Sequence, residues 1–330
     1  MRRALAIALL ALLAVPAGGA TRAKWDTKIL SLIPRPGFPA HAYVHPNGRV
    51  YEGTYDNPSG DTMASRIFEI TGSGTLQRSW TMRGQNLSAA HGVQVATSDA
   101  KGRLVLLDKD PPRVVVLNTK NGRQRTYATF PAGAVPNYAA WGPDGSLYVD
   151  DYEQPVLWKI PPRGGKPTEF LRDARLDGGP FGQTGLQLTA DRKSLLVATQ
   201  SEAGLGAVNP TTGRIWKVPL AKPTAMTQFW ESQPADGPDG FAIAKSGNVY
   251  VACLVVNQIC VVGPDGKEKE RSPSNALFDS PSSVQFLGKR VMVANQSYFT
   301  GDASKQDVLD VYVGETGLKR LIPKDAGFRN

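Results

Sequence analysis

The sequence predicts an all-β protein, a six-bladed β-propeller in which four-stranded antiparallel blades surround a central channel. The first observation is a phrase that occurs six times: one or two small or polar residues, an apolar strand, a tight turn and a second apolar strand. The second is the spacing of its turns, at Gly48, Gly102, Gly145, Lys193, Gly247 and Gly288, which follow one another at intervals of 41 to 54 residues. A sheet-forming unit that recurs at about 40 to 50 residues is typical of propeller blades. Six copies therefore predict six blades in a single domain, residues 24–330.

Each copy is expected to form the two inner strands of one blade. Apolar and polar residues alternate with a period of two, as in 145–151 and 247–253, which indicates strands. Turns such as 46–48 carry the Pro, Asn and Gly residues of hairpins. A second hairpin after each copy should supply the outer strands; in chain order these are RIFEITGSGTLQRSW, RVVVLNTKNGRQRTY, VLWKIPPRGGKPTEF, GAVNPTTGRIWKV, QICVVGPDGKEKER and LDVYVGETGLKRLI. Proline-rich segments, 131–136 and 234–238, should lead from one blade to the next.

The N-terminus resembles a secretory signal rather than part of the fold. Arg2 and Arg3 precede an apolar run over residues 4–15, and small residues follow. The run is too short for a membrane span of about 20 residues and has no polar face. We therefore expect residues 1–20 to be a signal peptide, cleaved after Ala20 or Ala23, and the mature protein to be secreted or periplasmic.

Composition argues against nucleic acid and membrane partners. The chain carries 38 Lys and Arg against 29 Asp and Glu, a formal charge of +9, but no run of five basic residues. Nucleic-acid binding would require a clustered basic face with aromatic residues among the cations. No internal stretch is apolar enough to span a bilayer. We expect a monomer with a mildly cationic surface and a small-molecule substrate or ligand.

The two cysteines, Cys253 and Cys260, fall in one predicted hairpin. In an exported protein this proximity favours a disulfide. The alternative is a pair of buried free thiols that pack as small hydrophobic residues.

The first strand of each blade lines the channel, so its opening residue should point into one mouth of that channel. The residues expected there are Ala40 with His41, His91, Asn137, Thr184, Asp239 and Ser282. The loop after each second strand returns to the same face and should add rim residues, namely Asp108, Asp150, Asp151, Gln200, Cys253, Asn295 and Gln296. Such a set of oxygen donors suits a hard cation, calcium above all. The alternative is that these polar residues cap strands or hold water, without any ion.

The chain resembles the senescence marker protein/gluconolactonase family of regucalcin-like six-bladed propellers, related to paraoxonases and strictosidine synthase. The most specific part is the phrase PDGFAI at 238–243 followed by GNVYVA at 247–252. The resemblance implies that Asp239 binds a divalent cation and can also take a proton. Asn137, in VPNY, corresponds to a cation-binding Asn of the family. Val135 stands where the family has a substrate-binding Arg, and Thr184 where it has an Asn.

Two hypotheses about function follow from these residues. The first is an exported metal-dependent lactone or ester hydrolase, with Asp239, Asn137 and Thr184 as metal ligands. His91, or secondly Asp239, would be the base that activates water. In this hypothesis His41, Asp151, Gln200, Ser282 and Asn295 contact the substrate at the rim. The second hypothesis is a non-catalytic propeller that binds a small molecule, a glycan or a protein. It is favoured because the family's first-blade Glu ligand has no counterpart at Ala40 and His41, and because Val135 replaces the family's Arg.

Overall fold

The computed structural model describes residues 22–178, 181–201 and 212–328, which form six four-stranded antiparallel sheets. β1 (Thr27–Leu32) belongs to the last sheet. Blade 1 contains β2 (Tyr43–Val44), β3 (Val50–Gly53), β4 (Arg66–Ile70) and β5 (Leu76–Thr81). Blade 2 contains β6 (Val93–Ser98), β7 (Arg103–Asp108), β8 (Arg113–Asn118) and β9 (Gln124–Thr129). Blade 3 contains β10 (Pro136–Trp141), β11 (Leu147–Asp151), β12 (Val156–Ile160) and β13 (Thr168–Arg172).

The second half of the ring repeats this arrangement. Blade 4 contains β14 (Gln183–Leu188), β15 (Ser194–Thr199), β16 (Arg214–Pro219) and β17 (Thr227–Glu231). Blade 5 contains β18 (Pro238–Ile243), β19 (Val249–Cys253), β20 (Gln258–Val262) and β21 (Glu268–Arg271). Blade 6 contains β22 (Pro281–Leu287), β23 (Arg290–Asn295), β24 (Asp307–Tyr312) and β1. Three short 3₁₀ helices span Ala174–Leu176, Pro223–Ala225 and Ala303–Lys305. The predicted six-bladed propeller is confirmed.

Two predicted outer strands were wrong. The outer strand of blade 6 is β1, whose Thr27 pairs with Val311 of β24, and not the segment after β24. The outer strand of blade 4 is β17, which follows the second 3₁₀ helix and pairs with β16. Residues 206–211 of the predicted fourth hairpin lie outside the described residues, as does the predicted signal peptide.

Residues 314–323, here called the C-terminal strap, cross the second mouth of the channel instead of forming a hairpin. Leu318 N donates to Ile243 O at 2.8 Å in blade 5. Further along, Ala100 N of blade 2 donates to Pro323 O at 2.9 Å. The strap therefore reaches from blade 5 to blade 2 and covers this end of the channel.

The core lies between neighbouring blades. Val105 and Val114 of blade 2 pack with Trp141 and Val149 of blade 3 in one buried cluster. Full burial of such a side chain stabilises the fold by about 1.5 to 3 kcal/mol. The polar ends of the inner strands can then point into the channel, because the blade interfaces and not the channel provide the core.

Cys253 and Cys260 form the predicted disulfide, with Cα atoms 6.1 Å apart. The bond joins β19 to β20 at the end of blade 5 that also carries Asp239. Among the described residues, no helix has the length and apolar character that a bilayer span requires.

Candidate functional site

The first mouth of the channel is defined by one structural position in each blade. In five blades the first paired residue of the inner strand lies opposite the last residue of the second strand, as in Pro136 with Asp151 and Pro238 with Cys253. In blade 1 the corresponding pair is the isolated bridge between Pro39 and Thr54. In each blade, the residue that follows this first paired residue points toward the channel. These residues, here called the inner ring, are Ala40, Gln94, Asn137, Thr184, Asp239 and Ser282.

The prediction that His91 belongs to this ring was wrong by three residues, because Gln94 occupies the position in blade 2. The number of residues between the inner ring and the hairpin turn identifies Gln94 from the sequence alone. In five blades the inner-ring residue lies eight positions before the turn residue with a left-handed backbone, as Asn137 does before Gly145. Counting back from Gly102 gives Gln94.

His91 lies instead in the loop before β6. Its two ring nitrogens lie 2.8 Å from the carbonyl oxygens of Ala89 and Met63. Both oxygens only accept hydrogen bonds, so the imidazolium form satisfies them best. Burial lowers the pKa of His91, but these bonds and the Asp61 carboxylate outweigh it and raise the pKa above its ordinary value. The geometry fits a side chain that holds the loop and not a free base.

Five inner-ring residues line a cavity of about 30 Å³, here called the first cavity, together with Gln200 and an aromatic rim. Thr184 is the exception, since its hydroxyl donates to Pro238 O at 2.9 Å. The remaining lining residues are Tyr55, Asp56, Tyr138, Tyr152, Phe181, Leu254, Gln296 and Tyr298. A volume of this size holds an ion or one or two waters, and the aromatic rings narrow its entrance.

The predicted rim residues Asp151 and Asn295 do not face this cavity. The Asp151 carboxylate accepts hydrogen bonds from Val135 N at 3.1 Å and from Trp158 Nε1 at 2.8 Å. The Asn295 amide likewise bonds backbone groups of loops outside the channel. Side chains alternate along a strand, so a shift of one residue points them to the other side. The next residues along the chain, Tyr152 and the expected rim residue Gln296, line the cavity instead, together with Gln200 and Ser282.

The predicted rim residue His41 lies deeper in the channel than expected. The pairing register shifts between the first and later residues of the inner strands, as between Pro136 and Ala139 in blade 3. Such a bulge brings two successive residues to the channel. His41 and the corresponding Tyr138 therefore lie beneath the inner ring, with ring centroids 4.6 Å apart.

Asp239 is the carboxyl group of the inner ring. Its side chain is 8% exposed and accepts a hydrogen bond from Gly240 N at 2.8 Å. Burial raises the pKa of Asp239 well above its ordinary value, although the Gly240 and Tyr138 hydrogen bonds act in the opposite direction. No cation among the described residues pairs with this carboxyl group, so a bound positive charge would favour its ionised form.

Two amide oxygens in the same cavity are buried and accept no hydrogen bond from any residue that the structure describes, namely Gln94 Oε1 and Gln200 Oε1. The predicted ligand Asn137 is engaged differently, because its Oδ1 accepts from Gln94 Nε2 and its Nδ2 donates to Gln183 O at 3.0 Å. A carboxylate with neutral amide oxygens is the donor set that hard divalent cations prefer. The residues present therefore fit a cation. Gln94 is a candidate ligand that the sequence prediction missed, because it placed His91 at this position of blade 2.

Comparisons with known proteins show the fold. No protein-family model matches the sequence, and no curated protein matches it. A solved calcium-binding protein, regucalcin from Agrobacterium tumefaciens, aligns with a TM-score of 0.66 at 13% identity, over 90% of this chain and 97% of that chain. A gluconolactonase from Xanthomonas campestris has a TM-score of 0.55 at 16% identity, over 88% and 99%. A virginiamycin B lyase from Staphylococcus aureus has a TM-score of 0.57 at 13% identity, also over 88% and 99%.

Proposed function

We propose that the protein is an exported hydrolase of lactones or esters that uses a divalent cation, calcium first, at the first cavity. The observation that carries this proposal is the buried Asp239 carboxyl beside the unpartnered amide oxygens of Gln94 and Gln200. A bound cation would offset the cost of burying an ionised carboxyl group here and would also engage the two amide oxygens.

Asp239, Gln94 and Gln200 would hold the cation, with Asn137 as an adjacent oxygen donor. The predicted ligand Thr184 would not contact the ion, because its hydroxyl donates to Pro238 O outside the cavity. When bound, the ion supplies Lewis-acid polarisation of a substrate carbonyl. Asp239 is also a candidate proton acceptor, because a bound cation would favour its ionised form. Tyr55, Tyr152 and Tyr298 at the rim exclude water and restrict entry to small or flat substrates.

Two of the comparisons support this proposal, because one neighbour is named a gluconolactonase and the other a calcium-binding protein. Gluconolactonase and regucalcin propellers cover nearly the whole chain at low identity. The Cys253–Cys260 disulfide supports an oxidising, secreted or periplasmic location. We further propose a monomer, which light scattering would test.

The test is the metal content of the purified mature protein, followed by hydrolysis of lactones and aryl esters with and without EDTA. We expect about one divalent cation per chain and activity that EDTA removes and calcium restores. Asp239→Ala should lose both properties and keep the fold. The matched control is Asp191→Ala, since Asp191 caps an exposed turn through Thr189 and Lys193. A protein that contains no metal, and whose activity panel is blank, would instead be a non-catalytic binding propeller.

A further inference from the structure

A second cavity of about 240 Å³ lies at the other end of the channel, beneath the C-terminal strap. Its polar lining includes His41, Thr97, Gln187, Gln285 and Arg320. Its apolar lining comes from small and large side chains, among them Ala96, Ala139, Ala140, Trp141, Leu186, Leu188, Leu318 and Leu321. This cavity is several times larger than the first one and belongs to no site described above.

The charges that face this cavity are all positive. Arg192, Lys319 and Arg320 line it, and none of its lining residues is an Asp or Glu. Arg320 donates to Val44 O and lies 4.5 Å from the centroid of the Tyr43 ring. No carboxylate among the described residues pairs with Arg320. Its guanidinium has five N–H donors, so it can bind an anion in addition to Val44 O.

One further polar side chain faces the cavity with both ring nitrogens buried: His41, whose nitrogens make no hydrogen bond in the described part of the chain. Gln285, 4% exposed, also lines the cavity. Burial, and then the charge of Arg320, lowers the pKa of His41 to about 3, so the imidazole is neutral and offers one donor and one acceptor. Buried polar groups without partners are rare, and a ligand in the cavity would satisfy them.

We propose that the second cavity binds a small organic monocarboxylate with an apolar body. Arg320 would bind the carboxylate, His41 and Gln285 would donate or accept hydrogen bonds, and Trp141 and the leucines would contact the apolar part. An inorganic anion would leave the apolar walls without contacts, and a cation would meet three positive side chains. The site is separate from the first cavity, because the His41–Tyr138 layer lies between the two.

The experiment measures binding of three probes of similar shape to the full-length mature protein: benzoate, benzamide and benzylamine. Calorimetry, together with the fluorescence of the tryptophans, gives the affinities. We expect benzoate to bind, benzamide to bind about tenfold or more weakly, and benzylamine not to bind. Hydrogen bonds to charged groups contribute about 1.5 to 3 kcal/mol, so Arg320→Gln should weaken benzoate binding about tenfold to a hundredfold.

Arg320→Gln also alters a contact of the strap, so two other variants locate the site independently. Ala140→Leu fills the cavity and should remove benzoate binding, whereas Arg320→Lys keeps the charge and should retain part of it. Lys166→Gln, an exposed cation away from the cavity, is the matched control and should bind as wild type. Thermal unfolding confirms that each variant is folded. Equal binding of benzoate and benzamide, or benzoate binding that Arg320→Gln and Ala140→Leu both leave intact, would overturn the proposal. Inactivity of the first cavity would not affect it.

Discussion

The imidazole of His41 packs on the ring of Tyr138, with centroids 4.6 Å apart, and the pair closes the channel between two cavities. His41 comes from blade 1 and Tyr138 from blade 3. The Tyr138 hydroxyl also donates to Ser282 O at 2.9 Å in blade 6. Three blades are thus joined at this level, and Tyr138 lines both cavities.

Gln94→Leu should lower cation affinity by about tenfold, because it removes a buried oxygen that has no other partner. It also removes the hydrogen bond to Asn137. Calcium titration followed by calorimetry measures the effect. Gln228→Leu, on the exposed face of β17, is the control and should leave affinity unchanged. An unchanged affinity in Gln94→Leu would show that blade 2 supplies no ligand.

His91→Ala should destabilise the protein and leave the turnover of any hydrolysis nearly unchanged. The folded-state pKa of His91 is raised, so its stabilising effect is present at low pH and is lost as the pH rises through that pKa. Thermal unfolding should therefore show a larger difference between variant and wild type at pH 5.5 than at pH 8.5. A selective loss of turnover with unchanged stability would restore His91 as the base.

Glu52→Gln should flatten the dependence of stability on pH. Burial raises the pKa of Glu52 to about 8 from an ordinary value of 4.5, while hydrogen bonds from the backbone act in the opposite direction. Between these two values the folded state holds a proton that the unfolded state has released, so stability falls as the pH rises. Denaturant titrations from pH 4.5 to 8.5 measure this slope. In the variant, Oε1 can still accept from His41 N, and the amide nitrogen replaces the unpartnered Oε2. If stability depends on pH as steeply in the variant as in wild type, groups other than Glu52 cause the dependence.

Removing the Cys253–Cys260 disulfide should destabilise the protein by about 2 kcal/mol, because the bond closes a short loop. The double variant Cys253→Ala/Cys260→Ala would be compared with wild type by denaturant titration. Thiol labelling of the denatured, unreduced protein provides the control and should find no free thiol. Stoichiometric labelling would contradict the bond.

Arg22→Ala should weaken the attachment of the N-terminal strand. The Arg22 guanidinium lies 2.6 Å from Asp26 Oδ2 and 2.7 Å from Asp310 Oδ1, and so joins the start of the fold to β24. Under the proposed export, these contacts favour cleavage after Ala20, which retains Arg22, over cleavage after Ala23. Mass spectrometry of protein recovered from the secreted or periplasmic fraction should then find Thr21 as the first residue, and a mature chain that begins at Lys24 would contradict this.

The fold could be predicted because each blade contains its own turn signals and strand alternation. The end of the chain could not, because 314–323 has the composition of a hairpin and only the closed ring shows that β1 occupies the outer edge of blade 6. A strand whose partner lies almost a whole chain away gives no local signal.

The residues that line the first cavity were only partly predicted. Asp239 follows a proline and precedes a glycine turn at the regular spacing, so the sequence indicated its inner-ring position. His91 was the expected residue of blade 2 because an imidazole can act as a base, although the spacing to the turn at Gly102 indicates Gln94. The difference between Asp151 and Tyr152 is a single step along a strand, which polar character alone cannot resolve.

The pairing of β1 with β24 has a consequence for biosynthesis. Translation produces β1 first and its partner last, so blade 6 stays incomplete while the other five blades are made. Throughout that interval β1 exposes unpaired backbone groups, which are templates for intermolecular association. Contacts between the two ends of a chain also form slowly. Blade 6, and with it the closed ring, can therefore form only after β24 has been synthesised.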